Sequence, residues 1–310
     1  MADDSAIQGC YPGGGMMKIR EKAKNAGLTA VFMGPSAFFF TLIIAVPFFS
    51  GIYYSFTEWN GVNAQPLWVG LANFKAILGE DSQFLRSFWF TLRFTVTTLV
   101  ITNVIAFIFA LALVQPLRSR GVLRTIFFLP NVIGGVLLGF IWRFILVNGF
   151  ASLGNVIPLG IFSLPWLGSP ETGFWGIVIV YTWKSTGYLM IIYIAHLLNI
   201  DTQLLEAARL DGARGGAFFR HILLPLAMPA VTVCLFLVLS WTFKSFDIVL
   251  SLTSGGPFRS TETVALNIYQ EAFSYGNFGA GSAKSLIYFL IVGGITLLQV
   301  RLTKKREIEA

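Results

Sequence analysis

Tyr181, Lys184, Ser185 and Tyr188 recur at i, i+3, i+4 and i+7, the spacing that lines four side chains along one helix face. Trp241, Thr242 and Ser245 form a second such stripe, with Lys244 and Asp247 beside it. Aromatic faces stack on the C–H faces of a sugar, while hydroxyl and amine groups bond its hydroxyls. The two stripes therefore suit a pathway for a neutral polyol. Helix–helix packing in a membrane uses the same serines, threonines and aromatics, so the pattern is also compatible with simple packing. Lys244 and Asp247 stand three apart and are expected to neutralise each other. The lysines also leave an acidic substrate open.

Nothing else in the chain has the form of a catalytic or metal centre. It holds two histidines, His196 and His221, and no spaced Cys/His cluster. Both histidines are expected at a membrane boundary with satisfied rings. "GAGSAKS" at 279–285 fails as a phosphate loop, because Ala283 stands where that motif needs glycine before Lys284. No catalytic residue, no metal ligand and no nucleotide site is expected in this chain.

The elements that carry the stripes follow from composition. The 310 residues are 55% hydrophobic, 12% charged and include 30 phenylalanines, with a mean hydropathy of +0.72. Crossing about 30 Å of hydrocarbon takes roughly 20 helical residues. Six apolar runs meet that length, near 31–54, 88–114, 126–147, 174–197, 230–250 and 286–302. None alternates with the period of a membrane barrel. The expected class is all-α: a polytopic membrane protein with six transmembrane helices.

Lys and Arg set the orientation. Lys18, Arg20, Lys22 and Lys24 precede the first span, and Arg118, Arg120 and Arg124 follow the second. Arg209, Arg214 and Arg220 follow the fourth, and Arg301, Lys304, Lys305 and Arg306 close the chain. The opposite loops are poor in basic residues and hold Glu58, Glu80, Asp81, Glu171, Glu262 and Glu271. Both termini are expected in the cytoplasm of a prokaryote with the spans in its inner membrane. The net charge of +7 is then explained without nucleic acid.

Residues 1–27 read as a polar, glycine-rich cytoplasmic tail, with Met16 and Met17 offering a second start. "IQGC" at 7–10 has no apolar region before it, so lipidation at Cys10 is not expected. Cys10 and Cys234 lie in different settings, and no disulfide is expected between them.

Between two apolar runs lies "EAARLDGARGGAFFRHILLPLAMP", residues 206–229. Asn199, Asp201 and Thr202 supply cap chemistry for a short helix over "QLLEAARL", and Gly212 breaks it. Leu204, Leu205, Ala207, Ala208 and Phe218 give an apolar side; Glu206, Arg209, Asp211 and Arg214 give a charged rim. Such a helix fits a groove on another protein.

The spacing of Glu206, Ala207 and Ala208, then Gly212, then Ile222, Leu224 and Pro225, resembles the EAA loop of binding-protein-dependent ABC importer permeases. "RTIFFLPNVI" at 124–133 and "FDIVLSLTSGGP" at 246–257 resemble the sugar-type branch of that family. They are similar to the maltose-type permease subunit that carries the sugar site. "TSGGP" departs slightly from the commoner TGGGP. The resemblance spans roughly residues 28–306, leaving a short cytoplasmic end over 307–310. It implies a type I importer permease fold whose cytoplasmic coupling helix docks on an ATPase. Glu206 would take polar partners there, Ala207 and Ala208 would allow close approach, and Gly212 would make the turn. It also implies a second permease subunit, an ATPase dimer that holds ATP and Mg, an extracytoplasmic solute-binding protein and surrounding membrane lipid. A self-sufficient secondary transporter or channel is the alternative, but repeats or matched broken spans in the two halves are not found.

The charge pattern makes a direct prediction about sidedness. Cysteines introduced at Ser119 and Thr202 should react with an impermeant thiol reagent only from the cytoplasm, and one at Ser169 only from outside. The opposite pattern would reverse the orientation.

Overall fold

The structure, a computed structural model, describes residues 31–79 and 81–305. The readings placed on 1–27, Glu80, Arg306 and 307–310 lie outside the described residues. The chain divides into two compact units, Met1–Tyr53 and Tyr54–Ala310. The first holds all but the last residue of helix α1 (Val31–Tyr54), which carries a π-helical turn at Thr41–Ala45.

The second unit opens with two short antiparallel strands, β1 (Thr57–Glu58) and β2 (Leu67–Trp68), and helix α2 (Ala72–Gly79). Helix α3 (Ser82–Val114) follows, capped by Asp81, whose carboxylate accepts the Phe84 amide at 2.8 Å. Helix α3 turns Thr91, Thr95, Thr98 and Thr102 inward and exposes Val96, Val100, Val104 and Ile108. Polar-in and apolar-out suits a helix solvated by lipid, where a hydroxyl facing the tails has no partner. Thr102 and Thr182 pair across helices at 3.2 Å.

Next come α4 (Arg120–Val132), α5 (Gly135–Gly154) and α6 (Pro170–Leu198). Then follow α7 (Thr202–Leu210), α8 (Gly215–Leu226) and α9 (Met228–Phe243). The chain closes with α10 (Asp247–Leu252), α11 (Val264–Tyr269) and α12 (Phe278–Lys304). Among the described residues five helices are long and apolar enough to cross a membrane: α1, α3, α5, α6 and α12. The pair α8 and α9, bent by 69°, supplies a sixth span if taken together.

Three expected boundaries are corrected. The run at 126–147 is broken: Ile133 and Gly134 adopt extended backbone, so α4 ends at Val132 and the span shifts to α5. Pro130 contributes no amide near this end, and the glycines favour the break. The run at 230–250 stops at Phe243 and restarts at Asp247. The last span starts at Phe278 rather than near 286, because "FGAGSAKS" forms its first turns. There small residues allow close packing: a Cβ on Gly279 would fall 1.9 Å from the Thr57 carbonyl oxygen.

Lys284, in those turns, is 2% exposed. Its ammonium meets Asp81 and Glu271 at 2.7 Å each and the Asn267 amide oxygen at 3.1 Å. Glu262, fully buried, accepts from Arg259 at 2.9 Å, from Asn267 at 2.6 Å and from Ser87 at 3.2 Å. The network ties the start of α3 to α11 and α12. Burial pushes the Asp81 carboxyl up, but the Lys284 hydrogen bond and charge and the backbone amides outweigh it. Its pKa lies below the usual value. The pair therefore stabilises the fold above the ordinary carboxylate pKa, and the contribution is lost as pH falls through the depressed folded value.

Removing one partner of a buried network leaves charge uncompensated, at a cost of about 3–5 kcal/mol. Lys284→Met should lower the thermal midpoint of the purified protein strongly at pH 7, while Lys75→Met at an exposed site changes it little. Equal midpoints for the two variants would show that the network does not hold these helices together.

Candidate functional site: a helix-break cavity and an exposed loop

The cavity begins with the way α6 and α9 are placed. Ser169 caps α6 in a reciprocal arrangement: its hydroxyl accepts the Thr172 amide at 3.2 Å, and the Thr172 hydroxyl accepts the Ser169 amide at 3.2 Å. Helix α6 is buried along most of its length, with α3 on one side and α4 on another. A Cβ on Gly187 would lie 1.9 Å from the Phe127 carbonyl oxygen, so α4 and α6 touch backbone to backbone there.

Helix α9 ends inside the protein, where its last carbonyls have no helical partner. Side-chain hydroxyls fill the gap. Tyr181 donates to Trp241 at 2.9 Å, Tyr288 to Phe243 at 2.7 Å, and Thr263 to the Ser245 carbonyl at 2.8 Å. The break opens a cavity of about 360 Å³ lined by Asn131, Tyr181, Lys184, Ser185, Trp241, Lys244 and Asp247.

The two sequence stripes thus converge, though not whole. Tyr181, Lys184, Ser185 and Trp241 line the cavity. Tyr188 lies outside its wall, against Phe128 and Trp241 at ring distances of 6.4 and 5.4 Å. Thr242 is buried and donates back to the Val238 carbonyl at 2.8 Å, and Ser245 is buried beyond the lining. Asn131 was visible in the sequence only as part of the 124–133 motif, and its place in the wall depends on α4 ending just after it.

The expected neutralisation of Lys244 by Asp247 does not occur: no ion pair joins them. On a continuous helix residues three apart are neighbours. Here the break separates them. Lys244 caps the C-terminus of α9, and Asp247 opens α10, accepting the Ile248 amide at 2.9 Å. Each charge complements its own helix dipole. Helix α10 is held tightly against α5. A Cβ on Gly135 would lie 1.6 Å from the Asp247 carboxylate and one on Gly139 1.9 Å from the Ser251 hydroxyl. Glycine at both positions is what gives this pair its approach. Arg93, inside α3, lies 4.3 Å over the Phe174 ring.

The second feature is the segment between α6 and α9. Asp201 caps α7 through the Gln203 amide at 2.8 Å. Ala208 faces inward and Leu205 is half-buried. Glu206, Ala207 and Leu210 point outward, Leu210 being 88% exposed. The helix closes in a Schellman arrangement: Gly212 donates to Arg209 at 3.1 Å and Ala213 to Ala208 at 3.0 Å. Gly212 has φ +86°, where a side chain is strained. Asp211 is exposed at the turn, and the Arg209 guanidinium lies 5.6 Å over Phe218 on the returning α8. Ile222, Leu224 and Pro225 are half-buried near the bend. His196 meets the Leu226 carbonyl at 2.8 Å, joining the end of α6 to that bend, and His221 contacts the Ala217 carbonyl at 3.1 Å. Among the described residues no group of His, Cys, Asp and Glu is arranged to hold a metal.

Both features lie within a region with known relatives. Residues 102–307 match the family described as binding-protein-dependent transport system inner membrane component. The chain is 45% identical over 294 residues to the probable starch degradation products transport system permease protein AmyD of Thermoanaerobacterium thermosulfurigenes. That match covers 95% of this chain and 100% of the relative. It is 30% identical to the multiple sugar-binding transport system permease protein MsmF of Streptococcus mutans, over 84% of this chain and 90% of that one. Its fold matches a chain from the crystal structure of a bacterial ABC transporter involved in the import of the acidic polysaccharide alginate. There the TM-score is 0.79 at 20% identity, covering 93% and 99% of the two chains. The chain belongs to the binding-protein-dependent transport system inner membrane components, and is the non-catalytic, multi-pass permease component of an ABC importer.

The close approach of α5 and α10 is itself testable. Gly139→Leu should reduce the yield of folded protein severely, whereas Gly293→Leu, which meets nothing within 4 Å, should not. The comparison can be read by size-exclusion chromatography in detergent.

Proposed function

We propose that this chain forms one half of a two-permease pathway that imports a sugar or oligosaccharide, driven by a cytoplasmic ATPase dimer and fed by an extracytoplasmic solute-binding protein. In this reading residues 28–306 are the permease domain, flanked by cytoplasmic ends at 1–27 and 307–310. The chain itself binds no nucleotide; ATP and Mg belong to the ATPase. The single observation that carries the coupling role is the outward face of α7. Glu206, Ala207 and Leu210 are presented to solvent on a helix closed by a left-handed glycine. A short helix that presents an 88%-exposed leucine beside a carboxylate has the form that lies in a groove on another protein.

The substrate role rests on the cavity. Tyr181 and Trp241 supply aromatic surface, and Asn131, Ser185 and Lys184 supply hydrogen-bonding groups. The named substrates of the relatives above agree with a saccharide. Helix α6 links the two features: from Lys184 to Leu198 it rises about 20 Å at 1.5 Å per residue. A displacement of α7 by an ATPase would thus be carried to the cavity wall along a continuous helix, with α9 on the return path.

Glu206→Lys and Gly212→Val should insert normally yet lose ATPase association and transport together. A buried, uncompensated charge or a strained turn weakens docking by roughly a hundredfold or more. Tyr188→Ala should keep ATPase binding and alter substrate use by removing support for Trp241. Co-purification of the ATPase and uptake in proteoliposomes read both. A stable complex with full transport in the Glu206 and Gly212 variants would reduce the loop to a connector.

A further inference from the structure

Resting on that substrate-pathway reading, we propose that the helix-break cavity selects saccharides carrying an anionic group, with Lys184 and Lys244 as the residues that hold it. The cavity contains two ammonium groups and one carboxylate, and neither lysine forms an ion pair among the described residues. With two ammonium groups against one carboxylate, the lining carries a net positive charge. One oxygen of Asp247 accepts the Ile248 amide, and the other packs over Gly135 at the start of α10.

The contrast with the polar network around Lys284 carries the inference. The buried Lys284 is given two carboxylates and an amide oxygen, and Arg259 is given Glu262. Two cations left unpaired along an intramembrane cavity mark a functional site whose partner arrives from outside. A neutral sugar is satisfied by hydroxyl, amide and aromatic groups, all present here without the lysines. A carboxylate or phosphate on the sugar accepts short, charge-assisted bonds from ammonium donors, while its ring lies against Trp241.

The test reads the cavity's charge directly in the assembled transporter, with both permeases, the ATPase and the binding protein in proteoliposomes. Asn131→Cys, in a Cys10→Ser, Cys234→Ser background, places a thiol in the cavity wall. Its modification by anionic sulfonatoethyl and cationic trimethylammonioethyl methanethiosulfonate is compared, each normalised to a free thiol. A cation-lined cleft concentrates anions by roughly tenfold or more, so the anionic reagent should react about that much faster. Lys184→Gln with Lys244→Gln should bring the ratio near one. A ratio near one in the parent, as when the second permease supplies carboxylates, overturns the proposal.

Protection of the thiol by saccharides separates the two readings. Trigalacturonate and glucose 1-phosphate are the anionic probes, and protection by either one, lost in the double lysine variant, supports the proposal and says which anion is preferred. Protection by maltotriose alone overturns it and leaves the saccharide pathway standing. Protection by none of the three overturns the pathway reading itself.

Discussion

Helix α9 stops in the protein interior, and three hydroxyl groups make that ending tolerable. An unpaired carbonyl in an apolar interior costs several kcal/mol. Tyr181, Tyr288 and Thr263 each cover one of the carbonyls around the break. These donors come from three different parts of the chain, so the break holds α6, α12 and the segment before α11 together. The cavity exists because of it. Without the break Lys244 and Asp247 would share a helical face and pair. With it, they face a shared space.

The broken helix also explains where small residues are needed. Helix α10 is only six residues long and has too little surface to hold its own position. Gly135 and Gly139 let its Asp247 and Ser251 side chains press onto the α5 backbone, and Gly187 lets the α4 backbone press onto α6. Contact of this kind replaces the hydrophobic effect, which gives little drive between helices in lipid. At the other end of α10 the loop carries a cis Gly256–Pro257 bond and the Arg259–Glu262 pair. Lys284 extends that polar network into α12. The cavity therefore sits between two regions of dense packing, with its lysines in the looser space between them.

The segment between α6 and α9 is built differently. Its inner face is anchored at few points: Ala208, the Arg209–Phe218 contact and the His196–Leu226 bond at the bend. Its outer face is open. These contacts tie α7 to α8, and α8 to the end of α6.

Sequence by itself determined the class, because hydropathy, charge bias and helical period are local properties that survive any arrangement of the spans. The cap at Asp201, the turn at Gly212 and the EAA spacing were legible for the same reason: each is settled within a few residues. The alignment of Tyr181, Lys184 and Ser185 on one face was legible too, since helical period alone places them. Tertiary structure decided what hydropathy cannot see. Ile133–Gly134 and Lys244–Phe246 lie within runs apolar enough to read as continuous spans, yet the chain breaks there. The donors that stabilise the second break, Tyr288 and Thr263, are distant in sequence. Only their arrival makes a broken helix cheaper than a continuous one. For that reason Asn131 entered the cavity wall, Thr242 and Ser245 left it, and the Lys244–Asp247 pair never formed.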